Sequence, residues 1–188
     1  MGTRYMVFVD GENLTIRAQE LAKERNLMLA EGDCYRRDVL IWFPGYQGQP
    51  PFENVPWRDE YIRGAPIRAM YYTSLVGDED AIRAAAETLW KLGFSPAVFK
   101  KTRRDQKAKG VDIALTKDML SHAYLDNYDV AILVAGDGDY VPLVEEVKRL
   151  GKRVHLSFFD SAATSPVLKI VCDRFVDLNP VCSSSWSR

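Results

Sequence analysis

Apolar and polar positions along the chain fall into short apolar runs separated by stretches of helical spacing. The run 5–10, Tyr-Met-Val-Phe-Val-Asp, is β-branched and aromatic and stops at a charge. Runs of the same kind follow at 67–72, 95–100, 130–135 and 153–159, with a short one at 174–178 suited to an edge strand. Residues 130–135, Val-Ala-Ile-Leu-Val-Ala, are apolar throughout, the pattern of a strand covered on both faces. Between the runs, apolar residues recur three and four apart. Leu14, Ala18, Leu21 and Ala22 form a stripe within 13–25, and Val111, Leu115, Met119, Leu120 and Ala123 another within 111–124. A helix over 78–92 opens on acidic residues and ends at Gly93. One over 139–150 ends at Gly151, and a last helix is expected at 164–172.

Repeated alternation of strand and helix implies right-handed crossovers and a mainly parallel sheet between two helical layers, an α/β fold. Ligands of such sheets bind outside the carboxyl ends of the strands. One segment breaks the rhythm. Residues 34–64 hold Trp42, Phe43, Tyr46, Phe52, Trp57 and Tyr61 among prolines and glycines, too aromatic for a disordered linker and too broken for one helix. They read as an insertion, part strand and part ordered loop, in a single domain over 1–180. Residues 181–188 read as a frayed tail.

Bulk properties narrow the function classes. A chain of 188 residues can bury one sizeable core, and 47% hydrophobic with 27% charged residues excludes a disordered chain. Net charge is −1, so a nucleic-acid partner needs a local basic patch rather than a global field. No apolar stretch approaches the ~20 residues of a membrane span, so no membrane partner is expected. The first strand begins too early to leave room for a signal peptide. Cys34, Cys172 and Cys182 lie far apart, and His122 and His155 are the two histidines. That argues against a zinc site and for reduced thiols in a cytoplasmic protein.

The chemistry rests on aspartates. Asp10 ends the first strand, Asp137 and Asp139 follow the strand 130–135, and Asp112 opens the helix before it. If the two strands are neighbours, these acids converge on one edge of the sheet, and like charges at close range cannot all stay ionised unaided. A hard divalent cation with oxygen ligands resolves the conflict. Each acid also has a structural reading: Asp10 as a turn residue, Asp112 and Asp139 as helix-dipole partners. Asn13 either caps the first helix or hydrogen-bonds Asp10. Asp118, about a third of a turn round the helix from Asp112, suits a supporting role better than ligation. Gly136 and Gly138 permit a tight turn and close approach. Residues 100–109 carry six basic side chains against one acid: Lys100, Lys101, Arg103, Arg104, Lys107 and Lys109. They lead straight into the helix of Asp112 and could hold RNA phosphates, while the insertion's aromatics could stack on unpaired bases.

Four stretches together carry a family resemblance. They are Phe8-Val-Asp-Gly-Glu-Asn13, Lys109-Gly-Val-Asp-Ile-Ala-Leu-Thr-Lys-Asp-Met119, Leu133-Val-Ala-Gly-Asp-Gly-Asp-Tyr-Val-Pro-Leu143 and Gly151-Lys-Arg-Val154. In order and spacing the chain resembles the NYN-domain family, a branch of the PIN-like nucleases, and its LabA-like members in particular. The resemblance covers about 4–30 and 67–178, with no counterpart for 34–64. It implies a three-layer Rossmann-like (PIN-like) fold and magnesium- or manganese-dependent cleavage of RNA, single-stranded or structured. It also implies that Asp10, Asp112, Asp137 and Asp139 are the catalytic, metal-holding acids, supported by Asn13, Asp118 and Gly136. Ala135 stands where many relatives have serine, and Tyr140 where phenylalanine is common; neither removes a carboxylate. The expected function is thus a metal-dependent endoribonuclease. The alternative from another class is a non-catalytic RNA-binding or assembly module, and a homodimer is compatible with either. A toprim-like site wants glutamate in place of Asp10, and a phosphatase-like one wants aspartate in place of Glu12.

Overall fold

The computed structural model describes residues 3–29, 35–37, 40–41, 66–103 and 110–180. In chain order these form β1 (Tyr5–Asp10), α1 (Gly11–Glu24), β2 (Tyr35–Arg36), β3 (Leu40–Ile41), β4 (Arg68–Leu75), α2 (Glu79–Lys91), β5 (Ser95–Lys100), α3 (Val111–Tyr124), β6 (Val130–Val134), α4 (Val141–Arg149), β7 (Arg153–Phe158), α5 (Pro166–Val171) and β8 (Arg174–Asp177). A 3-10 turn, Gly138–Tyr140, precedes α4. Six strands make one sheet in the order β5-β4-β1-β6-β7-β8, and every pairing is parallel. The expected α/β class with a parallel central sheet is what the chain adopts.

Strand pleat sorts the core into two layers, because successive side chains point to opposite faces. Tyr5, Val7 and Val9 of β1 pack with Leu14, Ala18 and Leu21 of α1 and Leu89 of α2. Met6 and Phe8 pack on the other face with Val111, Leu115 and Met119 of α3, Leu143, Val144 and Val147 of α4, and Leu168 of α5. Phe8 lies edge-on to Tyr128 at 5.8 Å, and both are fully buried. Each such side chain contributes roughly 1.5–3 kcal/mol by leaving water. Asp10, two residues beyond Phe8, therefore belongs to the α3–α4 face.

Connectivity then fixes where a crevice opens. The chain steps from β1 to β4 to β5, and α3 carries it back past β4 and β1 to β6, after which β7 and β8 follow. Direction reverses between β1 and β6, and at such a switch point the flanking helices diverge and leave a gap at the carboxyl edge.

Most boundaries shift by a residue or two from the sequence pattern, and three of the shifts have a clear local cause. β4 runs to Leu75 rather than 72, because Thr73 and Ser74 are fully buried and continue the ladder with Val98 and Phe99. The helix expected from 139 starts as the 3-10 turn, with Pro142 in the first turn of α4. α5 starts at Pro166 rather than 164, where the Ser165 hydroxyl accepts from the Leu168 amide at 3.3 Å. Pro96 sits on β5, an edge strand, where a missing amide is tolerated. Of the insertion, β2 and β3 form an antiparallel pair tied to α1 by Gln19 Nε2 donating to the Tyr35 hydroxyl at 3.0 Å. Its aromatics Trp42, Phe43, Tyr46, Phe52, Trp57 and Tyr61 lie outside the described residues, as do Cys34, Cys182 and the 181–188 tail. Cys172 is buried. No helix among the described residues is long and apolar enough to cross a membrane.

Candidate active site

β1 passes into α1 without a loop, and Asp10 serves both elements. It is the last strand residue and the helix N-cap, its Oδ1 accepting from the Asn13 amide at 2.9 Å. So tight a turn brings Gly11 against the Tyr71 ring, where a Cβ would stand 1.9 Å from Cε1. Of the two readings open for Asn13, the capping one is overturned, since Asp10 is the cap. The Asn13 side chain instead reaches across the crevice, Oδ1 accepting from the Gly136 amide at 2.9 Å. That bond ties α1 to the loop after β6, which carries Asp137 and Asp139.

Asp112 and Asp137 meet Asp10 because β6 is the neighbour of β1 and α3 starts at the same sheet edge. The Tyr140 hydroxyl joins two of them, 2.8 Å from Asp10 Oδ2 and 3.1 Å from Asp112 Oδ1. Asp137 caps the 3-10 turn, Oδ1 accepting from the Asp139 amide at 3.1 Å. Its loop is braced from behind: the Ser165 amide donates to Gly136 O at 2.9 Å, and a Cβ on Gly136 would stand 2.3 Å from the Phe158 ring. Asp139 is exposed on the turn and is not among the residues that line the cleft. Asp118 stands apart too, bonded to the Tyr72 hydroxyl at 3.0 Å and paired with Lys117. That is a tie between α3 and β4, a supporting role.

Glu12 is a cleft residue the sequence reading did not single out. It sits in the first turn of α1, its Oε2 accepting from Ser74 Oγ at 2.6 Å and its Oε1 from Lys101 Nζ at 2.8 Å. A lone glutamate there reads as a dipole partner; its own partners lie 62 and 89 residues away. Lys101 is expected to hold RNA phosphates from a basic loop. Its side chain is instead 8% exposed and ion-paired with Glu12. Lys100 and Arg103 are exposed beside it, and Arg104, Lys107 and Lys109 lie outside the described residues.

The resulting cleft, about 70 Å³, is lined by Asp10, Glu12, Asn13, Ile16, Val111, Asp112 and Asp137. Asp10 is 4% exposed. Burial pushes its carboxyl up to about 6, with Asp112 and Glu12 adding to the rise and the Asn13 and Tyr140 hydrogen bonds opposing it. Burial also raises the Tyr140 hydroxyl, which remains a neutral donor. Among the described residues no three His, Cys, Asp or Glu side chains stand close enough to hold a metal ion as they are placed. In chemistry, however, the cleft suits a hard divalent cation: its charged donors are all carboxylate oxygens, and one of them is buried where its charge is disfavoured.

In the family comparison, the model of the NYN domain matches residues 4–179. The chain belongs to the NYN-domain family. NYN domains are part of the PIN-like nuclease superfamily, and the match runs across the segment 34–64 that the motifs left uncovered. Among solved structures, this NYN chain is similar to a protein of unknown function from Vibrio parahaemolyticus RIMD 2210633. The two are 25% identical at a TM-score of 0.62, over 95% of this chain and 94% of that one. No curated protein matches it.

Proposed function

We propose that this NYN domain is a divalent-cation-dependent endoribonuclease that hydrolyses RNA phosphodiester bonds in the cleft between β1 and β6. The observation that carries this reading is the meeting of Asp10, Asp112 and Asp137, from three separate elements, in one crevice at the carboxyl edge of the sheet. Burial makes the charge on Asp10 costly, Asp112 and Glu12 add to that cost, and a cation offsets it.

Asp10 and Asp137 are the principal candidates to hold Mg²⁺ or Mn²⁺, with Asp112 and Asp139 completing the site or orienting water. A bound ion of this kind supplies positive charge to a phosphoryl oxygen and lowers the pKa of a water molecule. The remaining work falls to the chain's own residues. Asp112, exposed on the first turn of α3, is suited to orient the attacking water and accept its proton. Asn13 holds the Asp137 loop in register with β1. Lys100, Arg103, Arg104, Lys107 and Lys109 supply phosphate contacts that offset the repulsion between the acids and a polyanion.

The test is cleavage of a panel of labelled single- and double-stranded RNAs in Mn²⁺, Mg²⁺ or EDTA, with wild type and Asp137→Asn in parallel. Cleavage that requires the metal and drops at least a hundredfold in the variant is expected. Folded wild-type protein that binds RNA yet cleaves none of the panel would sink the proposal in favour of a binding or assembly module.

A further inference from the structure

Tyr140 carries no charge, yet its hydroxyl touches two cleft carboxylates at once. Its ring is 2% exposed and packed in the layer that holds Leu143 and Leu168, so the hydroxyl leaves the carboxylates only if that layer loosens. It thereby places one O–H dipole between Asp10 and Asp112, at a spot where two like charges otherwise face each other. A divalent cation held by Asp10 in the same cleft, facing Asp112, would fill the same electrostatic need with a full charge.

We infer that Tyr140 is a positioning residue that holds Asp10 and Asp112 together in the cation-free protein, and that a bound cation takes over this task. The inference rests on the cation-dependent reading above. Its consequence runs against the usual expectation for a group beside a metal site. The Tyr140 bonds stabilise the empty site more than the loaded one, because a bound cation would compete with the hydroxyl for the carboxylate oxygens. Removing the hydroxyl therefore destabilises the empty state selectively and tightens cation binding. Hydrogen bonds to charged groups are the stronger kind, so the gain should be several-fold, up to roughly tenfold.

The experiment is calorimetric titration of the full chain with MnCl₂, for wild type, Tyr140→Phe and Tyr128→Phe, with thermal unfolding of each in EDTA. Tyr128 is the control. It is fully buried in the same layer, but its hydroxyl donates to Met119 O at 2.9 Å and does not line the cleft. Both variants should unfold at lower temperature than wild type in EDTA, and only Tyr140→Phe should bind Mn²⁺ more tightly. Equal or weaker binding by Tyr140→Phe would overturn the inference, as would equal tightening in both variants, which would mark general loosening of the layer. If wild type itself takes up no Mn²⁺, the cation-dependent reading falls and this inference with it.

Discussion

A carboxylate that is 4% exposed and held by both the Asn13 amide and the Tyr140 hydroxyl answers its surroundings mainly by titrating. Asp10 is pushed up to about 6, so the folded protein holds this proton more tightly than the unfolded chain does. Its contribution to stability is then full below about pH 4 and fades as pH rises through 6, by on the order of 2–3 kcal/mol. Asp10→Asn cannot titrate and escapes that loss. In cation-free buffer, urea unfolding should show the variant gaining on wild type between pH 4 and 7. A difference that stays flat with pH would show that Asp10 is ordinary. At this scale the identity of the acids is readable from the chain, since aspartates after apolar runs in a strand–helix alternation have few other places to be. The burial that perturbs Asp10 is not readable, because it arises only in the fold, where even the opposing hydrogen bond comes from Tyr140, 130 residues away. Tyr140 stands out in the sequence only as a tyrosine where relatives commonly carry phenylalanine. Its hydroxyl gains meaning only once the 3-10 turn is brought to the end of β1.

At the scale of elements, the loop between β6 and the 3-10 turn decides where Asp137 points. It is held by Asn13 from α1 and by the Ser165 amide from the start of α5, and it lies against Phe158 of β7. Gly136→Ala would place a methyl group 2.3 Å from a Phe158 ring carbon in a buried site. Overpacking of this kind costs about 1–3 kcal/mol. We expect a lower melting temperature by circular dichroism and slower RNA cleavage, because relief comes by shifting either the ring or the loop. Wild-type stability and turnover together would mean that the loop adapts freely. The Gly-Asp-Gly-Asp pattern announces a tight turn in the sequence, but not which ring stands behind it. The spacing of Asp118 from Asp112 suits a supporting residue better than a ligand, but that its partner is the Tyr72 hydroxyl of β4 was not legible.

For the molecule as a whole, a net charge of −1 means that attraction to RNA must be local. The basic residues near 100–109 are the candidates, and Lys101 is already engaged by Glu12. Replacing Arg104 and Lys107 with alanine should weaken RNA binding and flatten its salt dependence. On a single strand the log–log slope should fall by about 0.7 for every phosphate that is no longer neutralised. Fluorescence anisotropy between about 50 and 200 mM salt would measure this, and an unchanged slope would place the RNA elsewhere. The same pairing of Lys101 with Glu12 marks the limit of sequence reading at this scale. A run of six basic residues looks uniformly available to phosphates until the chain brings one of them back to the first helix.

By itself the sequence determined the α/β class, the sites of the principal strands and helices, and the acids to watch, because periodicity and residue type are local properties. Only the tertiary structure decided that β1 and β6 are neighbours, that Glu12 and Tyr140 join the acids, and that Asp139 and Asp118 do not line the cleft. Those outcomes depend on strand order and on contacts between segments distant in the chain. Such contacts form when the two faces of the sheet are covered, and no local pattern of residues encodes them.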